Sequence, residues 1–155
     1  MAQDYELIAV TDKPALLGLS TLEWQARVLA VLDSLGYKVH PAQSHDDFIS
    51  RFTQYQYQIV VIEEMFDCAS AAENQSLTFL QNLAMNLRRH STILLLGESF
   101  QTLNPMQAFA QSVHAVVNAA DLDQFEALLT KVKADNDMFL NIYRQVENRM
   151  AEGKM

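Results

Sequence analysis

Three carboxylates stand where apolar, strand-like runs of the sequence end. Glu63 and Glu64 directly follow the β-branched run 59–62, and Asp12 follows a run that ends at Thr11. Functional sites of open α/β folds lie at the carboxyl ends of the strands, so these side chains mark the candidate site. Carboxylates at one edge can hold a divalent cation weakly. A metal-dependent hydrolase built on Asp12, Glu63 and Glu64 would have no other support in the sequence.

The remaining reactive side chains do not form a recognisable catalytic or cofactor site. The single Cys68 cannot form an internal disulfide, and the four histidines lie on separate segments. No G-x-S-x-G elbow and no glycine-rich phosphate loop occurs in the sequence. We therefore expect no catalytic residues, no metal site and no cofactor, and the chain is not predicted to be an enzyme.

The overall composition limits the partners of the chain. Its 155 residues suit one domain with its own core, and its formal net charge is −8. An acidic surface repels phosphate backbones and anionic lipid, so neither nucleic acid nor a membrane is an expected partner. No apolar run reaches membrane-spanning length and the N-terminus lacks a signal core, which predicts a cytoplasmic protein.

Strand-like runs alternate with helix-length segments along the whole sequence. The predicted strands are Glu6–Thr11, Tyr37–Pro41, Gln58–Glu63, Thr92–Gly97 and Val113–Asn118. The predicted helices are Leu22–Leu35, Asp46–Phe52, Gln75–Arg89, Pro105–Gln111 and a long one from Leu122 to about Met150. Short, right-handed connections then favour a doubly wound, five-stranded parallel sheet with strand order 2-1-3-4-5.

This layout resembles the receiver domain of two-component response regulators. The resemblance spans roughly residues 5 to 133 and implies a flavodoxin-like fold. Receivers carry an acidic pair after strand 1, often followed by proline; here Asp12 and Pro14 are kept, whereas Thr11 replaces the first acid. Glu63 stands where receivers have the aspartate that accepts phosphate.

Two further receiver positions have lost their functional side chains. Gly97 replaces the hydroxyl residue after strand 4, and Ala119 replaces the lysine after strand 5. Phosphoryl transfer needs a cation, cationic donors and a hydroxyl to neutralise the charge of the transferred group. The resemblance therefore implies a degenerate receiver, or pseudo-receiver, that acts as a non-catalytic module and binds an unidentified signalling protein.

Several alternatives stay open at this point. Glu63 is either a permanent substitute for phosphorylated aspartate or a solvated carboxylate without a role. The chain could also be a receiver that still accepts phosphate, for example on Thr11, or a flavodoxin-like protein that binds a small molecule.

The last predicted helix continues beyond the receiver-like part, so we divide the chain into a receiver-like domain, 1–134, and a protruding helical extension, 135–155. Apolar residues recur there with the alternating steps of three and four that are typical of a coiled coil. The predicted contact residues are Val132, Asn136, Phe139, Ile142, Tyr143, Val146 and Met150. Asn136 would fix the register and the number of chains. We expect a homodimer that forms through this helix.

Overall fold

Five parallel strands form one sheet. The computed structural model describes residues 13–67, 73–84 and 91–151, except for the side chains of residues 139, 140, 143, 144, 147 and 151. The strands are β1 (Lys13–Gly18), β2 (Tyr37–Pro41), β3 (Ile59–Glu63), β4 (Thr92–Gly97) and β5 (Ala115–Asn118). Their spatial order is β2-β1-β3-β4-β5, which confirms the predicted topology.

Helices cover both faces of this sheet. They are α1 (Leu22–Ser34), α2 (His45–Gln54), α3 (Gln75–Gln81), α4 (Pro105–Gln111) and α5 (Phe125–Ala151), and a 3₁₀ helix, Ala119–Gln124, precedes α5. Helix α1 ends at Ser34, and Gly36, which follows its C-cap Leu35, has a positive φ of 87° that favours glycine. No helix among the described residues is long and apolar enough to cross a membrane.

Two hydrophobic layers hold the helices to the sheet. Alternate strand residues point to opposite faces, so Leu17 and Val61 contact the layer under α1 and α5, whereas Leu16 and Val60 contact the layer under α2, α3 and α4. Both faces of the sheet are buried, which explains the nearly continuous apolar composition of β3 and β4.

The prediction for the first strand is wrong. The strand that pairs with β2 and β3 is Lys13–Gly18, not Glu6–Thr11. Connections from a strand to the next helix usually have two to six residues. The observed strand leaves a short connection, residues 19–21, before α1. The predicted strand would have left a much longer connection. Pro14 is tolerated because it lies near the start of the strand.

The last helix passes along the sheet and then continues beyond it. Val132 is 7% exposed and belongs to the layer under α1 and α5. Asn136 is 9% exposed, and its Nδ2 donates to Oγ1 of Thr92, the first residue of β4, at 2.8 Å. Helix α5 therefore reaches the amino end of β4 at Asn136, and the division of the chain after Ala134 stays a prediction.

Candidate functional site

The buried Glu63 carboxylate is the centre of the candidate site. Glu63 is the last residue of β3 and is 5% exposed. Its Oε1 accepts hydrogen bonds from the backbone N–H groups of Ser20 and Thr21, each at 3.0 Å. Its Oε2 accepts a hydrogen bond from the Thr21 hydroxyl, also at 3.0 Å. The carboxylate thus binds the loop between β1 and α1.

This interaction also replaces the usual cap of α1. Thr21 is the N-cap residue, but its side chain makes no capping hydrogen bond to the helix. The hydroxyl donates to Glu63 instead, and the negative carboxylate lies near the N-terminus of α1, where the helix dipole favours an anion. One buried side chain therefore both supports the loop and stabilises the start of the helix.

Two polar residues hold the end of β3 from the other side. The Ser20 hydroxyl accepts a hydrogen bond from the backbone N–H of Asp67 at 2.7 Å. The fully buried Asn74, the N-cap of α3, donates from Nδ2 to the carbonyl oxygens of Glu63 and Glu64, both at 3.0 Å. The loops that follow β1 and β3 are consequently held together by hydrogen bonds.

The Glu64 side chain lies over the end of β4. The Ser99 hydroxyl donates to the Glu64 carboxylate, at 3.0 Å to Oε1 and 3.3 Å to Oε2. A Cβ atom on Gly97 would stand 2.9 Å from Glu64 Oε1 and 2.9 Å from the Phe100 ring. The absence of a side chain at Gly97 therefore provides the space in which Glu64 and Phe100 pack.

These side chains surround an acidic cavity of about 430 Å³ at the carboxyl edge of the sheet, by which we mean the loops that follow the strands. The residues that line it are Thr21, Trp24, Glu63, Glu64, Met65, Gly97, Glu98 and Ser99. Among the described residues that line it, none is a lysine, an arginine or a histidine. The described lining therefore supplies carboxylates and hydroxyls but no cationic side chain that would neutralise a bound phosphoryl group.

The residues predicted to form the pocket fall into three groups in the structure. Glu63 and Gly97 lie together in the cavity lining. Ala119 follows β5 as the first residue of the 3₁₀ helix and packs against the layer under α1 and α5, so it is not part of this lining. Thr11 and Asp12 lie outside the described residues.

Several polar residues of the site were not predicted. The sequence predicts no role in the site for Ser20, Thr21, Asn74 or Ser99. Asn118 also stabilises this edge, since its Nδ2 donates to the Phe100 carbonyl at 2.8 Å. A correct position for β1 would have placed Ser20 and Thr21 at the end of that strand, beside Glu63.

The predicted dimer residues fall into two groups. Val132 and Asn136 are buried within the chain's own fold. Ile142, Val146 and Met150 are 57%, 46% and 58% exposed. The side chains of Phe139 and Tyr143 lie outside the described residues.

A second cavity, of about 410 Å³, lies between α4 and α5. Pro105, Ala108 and Val132 are among its apolar lining residues. Its charged lining residues Lys131 and Asp135 form an ion pair at 3.0 Å.

Comparisons with known proteins identify the fold. No protein-family model matches the sequence, and no curated protein matches it. A receiver domain protein from Methanospirillum hungatei JF-1 is similar with a TM-score of 0.64 and 10% identity, over 83% of this chain and 98% of that one. Chemotaxis response regulator CheY4 of Vibrio cholerae gives 0.58 and 14%, over 79% and 99%.

A longer protein shares the same fold over part of its length. NtrX from Brucella abortus is similar with a TM-score of 0.68 and 10% identity over 94% of this chain, which covers 31% of NtrX. Because all these identities are low, the similarity concerns the fold. The chain has the CheY-like, flavodoxin-like fold of response-regulator receiver domains.

Proposed function

We propose that this chain is a receiver-like interaction module that works without phosphorylation and forms a homodimer through α5. Its body would present a fixed surface to a protein partner. The proposal has two parts, a body that does not accept a phosphoryl group and a helix that pairs two copies, and different observations support them.

The observation that carries the first part is the set of hydrogen bonds around Glu63. Both carboxylate oxygens accept hydrogen bonds from the loop before α1, and the side chain is 5% exposed. A phosphoryl acceptor must present a free oxygen to the incoming group, with the attacking and leaving oxygens roughly in line. Glu63 would have to give up the contacts that hold this loop before it could react.

The lining of the cavity supports the same conclusion. Glu63, Glu64 and Glu98 would surround a transferred group with negative charge, and no cationic side chain stands among the lining residues that the structure describes. The Ser99 hydroxyl donates to Glu64, so this hydroxyl is already engaged.

The second part rests on the exposed apolar side chains of the tail, by which we mean residues 137–151 of α5. Met138, Ile142, Val146 and Met150 are 65%, 57%, 46% and 58% exposed and recur every fourth residue. A stretch of this length extends about 20 Å beyond the sheet, and an isolated helix this short is marginal in water. Burial of each such side chain against a second tail contributes about 1.5–3 kcal/mol, which favours pairing.

Incubation with acetyl phosphate and Mg²⁺, followed by intact mass spectrometry, tests the first part. We expect no phosphoryl adduct on the wild-type chain, while a conventional receiver domain treated in parallel acquires one. A stable adduct on any carboxylate or hydroxyl of this chain would overturn the proposal and favour a phosphate-accepting receiver.

A further inference from the structure

The carboxyl edge carries exposed apolar side chains beside unpaired negative charge. Leu22, the first residue of α1, is 79% exposed, and Met65 in the loop after β3 is 42% exposed. Met65 and Trp24 line the acidic cavity, and Leu22 follows Thr21, which also lines it. Large apolar side chains at the rim of a polar cavity are typical of a protein contact.

The described loops of this edge carry negative charge, and the nearby Arg27 of α1 is ion-paired with Asp123 of the 3₁₀ helix that follows β5. Among the residues that the structure describes, the loops after the five strands contain no lysine or arginine. The Glu98 carboxylate is exposed, and Glu64 lines the same cavity with its carboxylate bound by the neutral Ser99 hydroxyl. Glu23 and Asp67 add further exposed negative charge nearby.

We propose that the carboxyl edge binds a basic segment of a protein partner, with a lysine or arginine side chain between Glu64 and Glu98 and an apolar neighbour on Met65 and Leu22. A cationic side chain supplies the charge that the cavity lacks, and the apolar rim excludes water around the pair. Electrostatic complementarity selects a basic partner and speeds its approach.

This inference rests on the proposed function, in which the edge binds a partner and does not transfer phosphate. The tail lies at the opposite end of the molecule, because α5 reaches the amino end of β4 at Asn136. A dimer formed through the tails would therefore leave both carboxyl edges accessible.

Fluorescence anisotropy of the full chain with a labelled amphipathic peptide of lysine and leucine tests the inference. We expect binding that weakens as salt is added, and about tenfold weaker binding when Glu64→Gln and Glu98→Gln are combined. Leu22→Ser should weaken binding of this peptide but not of a peptide in which serine replaces leucine. A glutamate and leucine peptide should not bind.

A matched double variant separates site binding from general attraction to an acidic protein. Asp33→Asn with Asp135→Asn removes the same charge from exposed positions near the amino ends of the strands. This control should bind within about twofold of wild type. Equal weakening in both double variants, equal binding of the acidic peptide, or no binding of the basic peptide at low salt would overturn the inference.

The two proposals fail in different ways. A phosphoryl adduct together with site-dependent peptide binding would refute the proposed function and retain the docking surface. If no adduct forms and the Glu64→Gln, Glu98→Gln variant binds the peptide as tightly as wild type, only the docking surface is refuted. Circular dichroism of each variant checks that it is folded.

Discussion

The Glu63 side chain at the end of β3 is one methylene longer than an aspartate would be, and it bonds within the fold. The longer side chain reaches back to the loop before α1 and bonds two backbone N–H groups and a hydroxyl. Hydrogen bonds to a buried charged group are worth more than neutral ones. At this position the side chain contributes to the stability of the fold.

Replacement of Glu63 should therefore lower stability. We expect Glu63→Ala to reduce the free energy of unfolding by about 3 kcal/mol, because it leaves the Ser20 and Thr21 N–H groups without their acceptor. Glu63→Gln, which keeps one acceptor oxygen, should cost about 1 kcal/mol. Urea unfolding measures both, with the exposed Glu98→Gln as a control. A Glu63→Ala protein as stable as the control would contradict the structural role.

Tyr57 gives the molecule a pH dependence on the alkaline side. It is fully buried, and its hydroxyl lies 2.7 Å from Nδ1 of His40. Burial is the main cause that raises the pKa of Tyr57 above its ordinary value of 10.0. Above about pH 10 the unfolded chain loses this proton while the folded chain keeps it, so the folded state is disfavoured as pH rises.

We expect the free energy of unfolding to fall as the pH rises above about 10, and to fall less steeply in Tyr57→Phe. The decline should not vanish in that variant, because burial also raises the pKa of Tyr37, with a further contribution from Asp137. Urea unfolding at a series of alkaline pH values measures both slopes. Identical slopes in wild type and Tyr57→Phe would show that Tyr57 is not responsible.

At the scale of elements, the alternation of apolar runs and helix starts was enough to predict the fold class and strand order. The error in β1 arose because two apolar runs, 7–10 and 15–19, compete for one position. The β-branched residues of the first run favour a strand. The short connection needed between the strand and the start of α1 favours the second run. This constraint depends on the whole strand–loop–helix unit, not on local strand propensity.

From the sequence, site residues were predictable only where the end of a strand fixes their position. Glu63 and Gly97 follow from the ends of β3 and β4, which the sequence places correctly. The hydrogen bonds of Ser20, Thr21 and Asn74 depend on how the loops meet in space, and the sequence does not carry that information directly. Asn136 was assigned to a helix pair because the periodicity of α5 does not reveal where the sheet ends.

The Asn136 side chain should stabilise the body and leave self-association unchanged. Asn136→Ala removes the hydrogen bond to Thr92 within a buried contact, so we expect a loss of about 1 kcal/mol in the free energy of unfolding. Asn141→Ala, an exposed position on the same helix, should have little effect. Thermal unfolding and light scattering measure the two properties. A change of oligomeric state in Asn136→Ala alone would restore the coiled-coil role first predicted.

At the scale of the whole molecule, the two ends have different surfaces. The acidic cavity and its apolar rim lie at the carboxyl edge, whereas the tail extends past the amino end of β4. The two ends therefore offer separate surfaces for the pairing and the partner contact that we propose.

The exposed face of the tail should determine the molecular mass in solution. We expect wild type to be a dimer by light scattering, and Ile142→Asp with Val146→Asp to be a monomer whose body unfolds at the same temperature. Buried aspartates would remain unpaired in a helix pair, which makes association unfavourable. Asn141→Asp with Gln145→Asp, at exposed polar positions, should leave the dimer intact. A monomeric wild type would refute the proposed pairing.

An NMR titration of the full chain with Mg²⁺ and beryllofluoride, a mimic of a phosphoryl group on a carboxylate, tests the central claim most directly. If Glu63 is committed to the loop before α1, the backbone amide signals of Ser20, Thr21 and Glu64 should stay unchanged throughout the titration. Saturable shifts of these signals, absent when either reagent is omitted, would show that the cavity accepts a phosphoryl-like group and would contradict the account.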